Sequence, residues 1–224
     1  MFLKVGHRGA SAYEIENTIE SFSKALELGV NAVELDARQS KDGKLILSHD
    51  ETLKRLFGSD ISMSQATLKE LKQLTDNKIL TLEEALRFLD SKVDKILVEL
   101  KETGYEKKVL DVIMKEKLLN RTIIVSFHEA TLAAVRSLHH KIETGLIYAR
   151  LRNPVDAAKR MGAGYLLPLY RFVHTRDVEK AHENNLKVIV WTINTKKEAR
   201  EYRAKGVDGI VSDKPDIFEW MEQG

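Results

Sequence analysis

Eight short runs rich in apolar and β-branched residues, alternating with amphipathic helical stretches along 224 residues, predict a (β/α)8 barrel. Such alternation calls for parallel strands joined by helical crossovers. Eight βα units in a chain of this length fit a compact barrel, a fold that typically runs ~250 residues and can be as short as ~200. A doubly wound open sheet, the competing architecture, would place a glycine-rich phosphate turn after the first run, and none is there. The chain 1–224 is expected to form a single barrel domain, because one core stops growing at roughly 250 to 300 residues.

The strand-like runs are 2–6, 32–36, 95–100, 122–126, 143–148, 164–168, 187–192 and 208–212. After the first, Ile19, Phe22 and Leu26 recur at helical spacing and Gly29 follows as a stop. Thr81-Leu82-Glu83-Glu84 and Thr195-Lys196-Lys197-Glu198 each read as a capping box. Pro154 after Asn153 suits a first helical position, with Met161-Gly162 near that helix's end, and Thr175 reads as the next N-cap. Residues 37–80 break the alternation. Leu45-Ile46-Leu47-Ser48 is reached through Lys41-Asp42-Gly43-Lys44, and Asp-Gly between β-like runs signals a hairpin. A two-residue loop sets Asp36 opposite His49; a three-residue loop shifts that register by one. Beyond the hairpin, Leu68, Leu71 and Leu74 at helical spacing predict a small insertion over the barrel mouth.

Hydrophobic residues at 43% and charged residues at 31% describe a globular chain. Its 36 basic and 34 acidic residues leave a net charge of +2, no electrostatic footprint for nucleic acid. Cysteine is absent, which excludes disulfides, thiolate catalysis and cysteine-based zinc sites. His7 comes too early for a signal segment to precede it, and no apolar run approaches the ~20 residues a membrane helix needs. The expected setting is cytoplasmic, with no membrane insertion.

In a barrel strand, side chains point alternately to the lumen and to the helices, so charges on an apolar strand mark its inward face. Within 32–36, Val33 and Leu35 face one way and Glu34 and Asp36 the other; within 95–101, Ile96, Val98 and Leu100 alternate with Leu97, Glu99 and Lys101. Three carboxylates and a lysine therefore converge near the carboxyl ends of two adjacent strands, where barrel enzymes keep their chemistry. Singly, each carboxylate is well explained as an ion pair with Lys101 or Arg8. Together with His7 and His49 they make five convergent titratable groups that have no packing purpose. A bound cation offsets the cost of burying them, and oxygen donors suit Mg2+ or Ca2+ better than zinc. Arg8 adds a fork for an anion, and Gly9 leaves the backbone open beside it. Among the other histidines, His128 just past Ser126-Phe127 is a further candidate for lining the site, whereas His139, His140, His174 and His182 fit helix ends and surfaces.

These residues belong to an ordered set that resembles the glycerophosphodiester phosphodiesterase family over nearly the whole chain. The set comprises His7-Arg8-Gly9, Glu16-Asn17-Thr18, Val33-Glu34-Leu35-Asp36, Lys41-Asp42-Gly43, His49-Asp50, Leu82-Glu83-Glu84, Val98-Glu99-Leu100-Lys101, Ser126-Phe127, Trp191-Thr192-Ile193-Asn194 and Val207-Asp208-Gly209-Ile210 with Asp213 and Pro215. The resemblance implies a catalytic (β/α)8 barrel with a small insertion after the second strand. It matches Glu34, Asp36 and Glu99 to the metal ligands, His7 and His49 to the acid-base pair, and Arg8 and Lys101 to the phosphate contacts. Trp191 matches a wall of the substrate pocket, although a strand tryptophan is as often core. Two departures, the missing proline before Thr81 and the loose match over 51–67, bear on the insertion's shape and on leaving-group preference.

The implied activity is metal-dependent hydrolysis of a small glycerophosphodiester to glycerol 3-phosphate and an alcohol, with a divalent cation, Mg2+ or Ca2+, as cofactor. Either histidine fits either proton-transfer role, and the nucleophile is water or the glycerol's own hydroxyl. Rival readings are a phospholipase D-like hydrolase of lysophospholipid head groups, a divalent-metal sugar isomerase and a non-catalytic phosphodiester-binding barrel. No amphipathic membrane-docking stretch favours the first, Arg8 beside His7 has no use in the second, and the third should have lost a ligand or a histidine.

Overall fold

Strands form over all eight anticipated runs in the computed structural model, which describes residues 1–221. In chain order the strands are β1 (Leu3–His7), β2 (Ala32–Gln39), the short β3 (Leu45–Leu47), β4 (Lys95–Leu100), β5 (Thr122–Ser126), β6 (Glu143–Tyr148), β7 (Tyr165–Pro168), β8 (Lys187–Val190) and β9 (Gly209–Ser212). All but β3 are parallel, in the order β1-β9-β8-β7-β6-β5-β4-β2, and pairing of β1 with β2 closes the barrel. The α-helices are α1 (Ile19–Glu27), α2 (Lys54–Phe57), α3 (Leu68–Leu74), α4 (Leu82–Leu89), α5 (Glu106–Lys115), α6 (Glu129–Leu138), α7 (Pro154–Met161), α8 (Thr175–Glu183) and α9 (Lys196–Ala204). A 3-10 helix at Pro215–Met221 takes the place of the eighth outer helix. The predicted (β/α)8 barrel is the observed fold, with β3, α2 and α3 inserted after β2.

Period-two alternation sorts the strand side chains into two layers. Val33, Leu35, Ala37, Ile96, Val98 and Leu100 turn outward under the helices, while Leu3, Val5, Ala32, Leu97, Ile123, Val125, Ile189 and Val211 fill the lumen. Each outer helix answers with an apolar face. In α4, Leu82, Ala85, Leu86 and Leu89 are fully buried at helical spacing, and burying each leucine contributes roughly 1.5–3 kcal/mol. Its start is fixed by a complete capping box: Thr81 Oγ1 accepts from the Glu84 amide, and the Glu84 carboxylate accepts from the Thr81 amide.

Turn chemistry moves some local details from where the sequence puts them. In the β2–β3 hairpin, Ala37 pairs with Leu47 and Gln39 with Leu45, so Ser48 rather than His49 stands opposite Asp36. The loop has three residues because Gly43 takes a φ of +75° and Ser40 Oγ accepts from the Lys44 amide at 3.0 Å. Before α9, Thr195 caps the Glu198 amide, but the Glu198 carboxylate accepts from the hydroxyls of Thr195 and Tyr170 and leaves the capping box half made. Helix α8 is capped at His174 rather than at Thr175, with Asp177 accepting from the His174 amide at 2.8 Å. The insertion owns a small core of Ile46, Leu53, Met63, Ala66, Leu71 and Ile79; Leu71 is buried there, whereas Leu74 is exposed.

Candidate active site

The carboxyl ends of β1, β2 and β4 bring the charged candidates together. In the strand register His7 stands level with Glu34, and Asp36 with Glu99. Glu34, Asp36 and Glu99 are all buried, and each offers one oxygen within 4.8 Å of the others. Lys101, just past β4, places Nζ 2.7 Å from Glu99 Oε1 and 3.4 Å from Asp36 Oδ1. The Arg8 amide donates to Glu34 Oε2 at 3.0 Å, and its Nε lies 3.1 Å from Asp36 Oδ2. Asn17 clasps Asp36 from behind, donating from Nδ2 to Oδ2 at 2.9 Å and accepting from the Asp36 amide at 3.2 Å.

His49 reaches this cluster from the far end of the hairpin, and Trp191 from the end of β8. With His7, Arg8, Glu34, Glu99 and Lys101 they line a cavity of about 240 Å³, closed on its apolar side by Val125, Phe127, Ile147, Leu167 and Val211. Trp191 is a partly exposed wall rather than core: its Nε1 donates to the Leu167 carbonyl at 2.7 Å, and its ring meets Phe127 edge-on at 5.7 Å. A larger cleft of about 320 Å³ opens outside the barrel between α7 and α8. Chemistry singles out the smaller cavity, because among the described residues the metal-donor cluster lies there.

Gly9 has a packing purpose that the sequence did not show. Its φ is +87°, and an added Cβ would collide with Ser21 Oγ and lie 2.6 Å from the Ser21 carbonyl oxygen. Close seating of the loop on α1 requires the glycine.

The carboxylates are not electrostatically alike. Burial, reinforced by Asp36 and Glu99, pushes the Glu34 carboxyl well above the usual range. Burial and the neighbouring Asp36 also raise Glu99. Burial opposes ionisation of Asp36 too, but the charges of Arg8 and Lys101 outweigh it and hold that carboxyl low. Among the described residues Glu34 Oε1 is buried without a hydrogen-bond partner, and Asp36 Oδ1 has only the Lys101 ammonium, at 3.4 Å. Native proteins rarely leave such oxygens unpaired. A divalent cation would supply the partner and relieve the repulsion, so the donor set fits one.

Each imidazole is tied at Nδ1 to its own carboxylate: His7 to Asp213 at 2.5 Å and His49 to Asp50 at 2.7 Å. His7 Nε2 then faces the cluster, 3.9 Å from Glu34 Oε2. Asp213 also accepts from Ser11 Oγ at 3.0 Å and Asn194 Nδ2 at 2.7 Å. Burial opposes its ionisation, but these donors and the His7 charge bring its carboxyl down to about 2. Burial, with the charges of Arg8 and Lys101, pushes His49 below the ordinary imidazole range despite the pull of Asp50.

Sequence reasoning quoted Asp50 and Asp213 without giving them a role, and it passed over Arg55, which bonds to Asp50 and Glu16. His7 and Asp213 lie 206 positions apart, so no local pattern joins them. The available signal was that Asp213 sits one residue past the end of β9, at the face where the other charges gather. His128 caps α6, is exposed, and is not among the cavity's lining residues.

A closed barrel whose mouth joins an oxygen-donor triad to two cations and a pair of carboxylate-bound imidazoles defines a metal-assisted barrel enzyme. The model of the glycerophosphoryl diester phosphodiesterase family matches residues 7–217, and the chain belongs to that family. A glycerophosphodiester phosphodiesterase of Caldanaerobacter subterraneus is 33% identical over 232 residues, covering 96% of each chain. The crystal structure of a glycerophosphodiester phosphodiesterase from Thermotoga maritima is 35% identical, covers 99% of each chain and superposes with a TM-score of 0.84. A phosphodiesterase of Oleispira antarctica, solved in complex with the product sn-glycerol-3-phosphate, shares the fold with a TM-score of 0.87 at 24% identity, covering 98% of this chain and 96% of that one. The chain is a phosphoric diester hydrolase. No helix among its described residues is long and apolar enough to cross a membrane.

Proposed function

We propose that this phosphodiesterase splits glycerophosphodiesters into glycerol 3-phosphate and an alcohol, with His49 as base and His7 as acid. In this reading Glu34, Asp36 and Glu99 hold Mg2+ or Ca2+, and the barrel with its insertion works as one catalytic domain. The observation that carries it is the asymmetry between the imidazoles: His7 leans on an ionised carboxylate, whereas burial and two cations disfavour a charge on His49.

Attack on a phosphodiester moves negative charge onto the phosphoryl oxygens and the leaving alkoxide, so catalysis needs cations, a base and an acid. A cation held by Glu34, Asp36 and Glu99 would supply positive charge to the phosphoryl group and would lower the pKa of an attacking hydroxyl. Arg8 grips phosphoryl oxygens through its planar fork, and Lys101 adds a point charge. His49, neutral near pH 7, takes the proton of the attacking hydroxyl, from water or from the glycerol itself. His7, oriented by Asp213 through Nδ1, gives a proton from Nε2 to the leaving oxygen. Trp191 and the apolar wall exclude water and receive the glycerol carbons. The names of the Caldanaerobacter and Thermotoga relatives support the substrate class.

The test is a coupled assay for glycerol 3-phosphate with glycerophosphocholine, run beside a lysophosphatidylcholine. Wild-type protein should turn over the first with a preference of at least tenfold, and His7→Ala or His49→Ala should lose roughly 10²–10⁴ in kcat. Wild-type-like turnover in both variants sinks the assignment.

A further inference from the structure

We propose that Arg55, on the insertion helix α2, is a positioning residue for catalysis, one guanidinium that sets the His49 imidazole through Asp50 and the Arg8 guanidinium through Glu16. Arg55 Nε donates to Asp50 Oδ2 at 2.6 Å, and the other oxygen of that carboxylate meets His49 Nδ1 at 2.7 Å. From its far edge, Arg55 Nη1 and Nη2 donate to Glu16 Oε2 and Oε1 at 2.9 and 2.6 Å. Glu16 Oε1 accepts in addition from Arg8 Nη1 at 3.0 Å. Arg8, Glu16, Arg55, Asp50 and His49 therefore form one relay across three segments: the loop after β1, the end of the hairpin and the insertion.

A guanidinium is planar, and its donors sit in a fixed fork. By binding one carboxylate at Nε and another bidentately, Arg55 fixes the two acids relative to each other. Without it, Asp50 keeps the His49 ring as its partner but loses the hydrogen bond that holds its own orientation. Glu16, a nearly buried carboxylate, is then left with Arg8 alone and draws that guanidinium away from Asp36 and the cavity. Arg55 itself is not among the residues lining the cavity, so it acts through the groups it holds. Its side chain is 47% exposed, and the insertion is already anchored by Leu53, Met63 and Leu71, so loss of Arg55 leaves a folded chain.

The inference rests on the proposed roles of His49 and Arg8, and a double-variant cycle separates the two. Arg55→Ala, His49→Ala and the pair are assayed with a 4-nitrophenyl phosphodiester, whose activated leaving group keeps the baseline of the histidine variant measurable. Arg55→Ala should lower kcat about 30- to 100-fold, and the double variant should lose at least about tenfold less than the product of the single losses. Free guanidinium should restore part of the Arg55→Ala activity, while Arg55→Lys, which keeps the charge but not the fork, should stay impaired. A merely structural role predicts multiplicative losses and no rescue.

Arg55→Ala within threefold of wild type, or full multiplicativity with His49→Ala, overturns the proposal while leaving the functional reading intact. A His49→Ala variant as active as wild type overturns that reading and this proposal with it. Should Arg55→Ala melt early, Arg55→Lys decides: a normal melting point with depressed kcat supports the proposal, and wild-type kcat overturns it.

Discussion

Replacing Asp213 with Asn removes one charge from the His7 pair while keeping its shape. In the folded chain burial opposes ionisation of the Asp213 carboxyl, but His7, Asn194 and Ser11 bring it from 3.8 down to about 2, which corresponds to about 2 kcal/mol of net attraction. Its side chain is 30% exposed, so solvent screening trims the share lost to roughly 1.5–2 kcal/mol, or about 10- to 30-fold in rate. A second loss adds to this. One Asp213 oxygen faces the Asn194 amide donor, and the other faces His7 and Ser11. An asparagine amide nitrogen avoids the Asn194 donor and turns to the Ser11 hydroxyl, which can accept. That turn presents a donor to His7 Nδ1 and forces the wrong tautomer. Together the two effects predict a loss of about 10²–10³ in kcat, read by glycerol 3-phosphate release. Turnover within threefold of wild type refutes the reasoning. Stability carries its own sign: a depressed carboxyl stabilises the fold above its unfolded value of 3.8 and ceases to as pH falls through about 2. The stability gap between wild type and Asp213→Asn should therefore close between about pH 4 and pH 2, in urea titrations across that range.

Three further outcomes follow from the same geometry. Because burial, Arg8 and Lys101 push His49 below its ordinary 6.5, and a base works only unprotonated, the acid limb of kcat/KM should lie below about pH 6.5; a limb above it contradicts the assignment of His49 as base. Glu34→Gln removes a carboxylate crowded by Asp36 and Glu99, so in EDTA it should melt higher than wild type, by roughly 2–4 °C per kcal/mol of repulsion relieved, while losing activity; a lower melting point speaks against the crowding. Gly9→Ala drives a methyl into the Ser21 backbone at a φ of +87° and should cost about 2–5 kcal/mol, seen as a lower denaturant midpoint at unchanged slope. An unmoved midpoint would mean that the loop does not seat on α1 as described.

The parts of this site governed by strand periodicity were legible in the sequence. Glu34 and Asp36 against Val33 and Leu35, and Glu99 and Lys101 against Val98 and Leu100, read as two faces because side chains alternate whatever the surroundings. The clustering of acids at the mouth followed from that alternation and the barrel's closure. His49 was harder, since its place depends on loop length. Asp42-Gly43 announced a turn, but the Ser40 side chain and the left-handed Gly43 together made it one residue longer. The pairings of His7 with Asp213 and of Arg55 with Glu16 were not legible, because they join distant segments through side-chain directions that no local pattern encodes. The packing role of Gly9 was not legible for a related reason. Its neighbour is Ser21 in the first turn of α1, twelve positions along the chain but set against it by tertiary packing.

Cation binding to the stripped chain bears most directly on the whole account. After exhaustive EDTA treatment and its removal, calorimetric titration with Mg2+ and with Ca2+ should show one ion per chain for at least one of them. At a hundredfold excess over Kd, that ion should raise stability by about 2.7 kcal/mol, or roughly 5–10 °C in Tm. Glu34→Gln, Asp36→Asn and Glu99→Gln should each abolish or greatly weaken the binding and the shift. Wild-type protein that binds neither ion, or variants that bind as well as wild type, would contradict the claim that these three carboxylates are gathered to hold a cation.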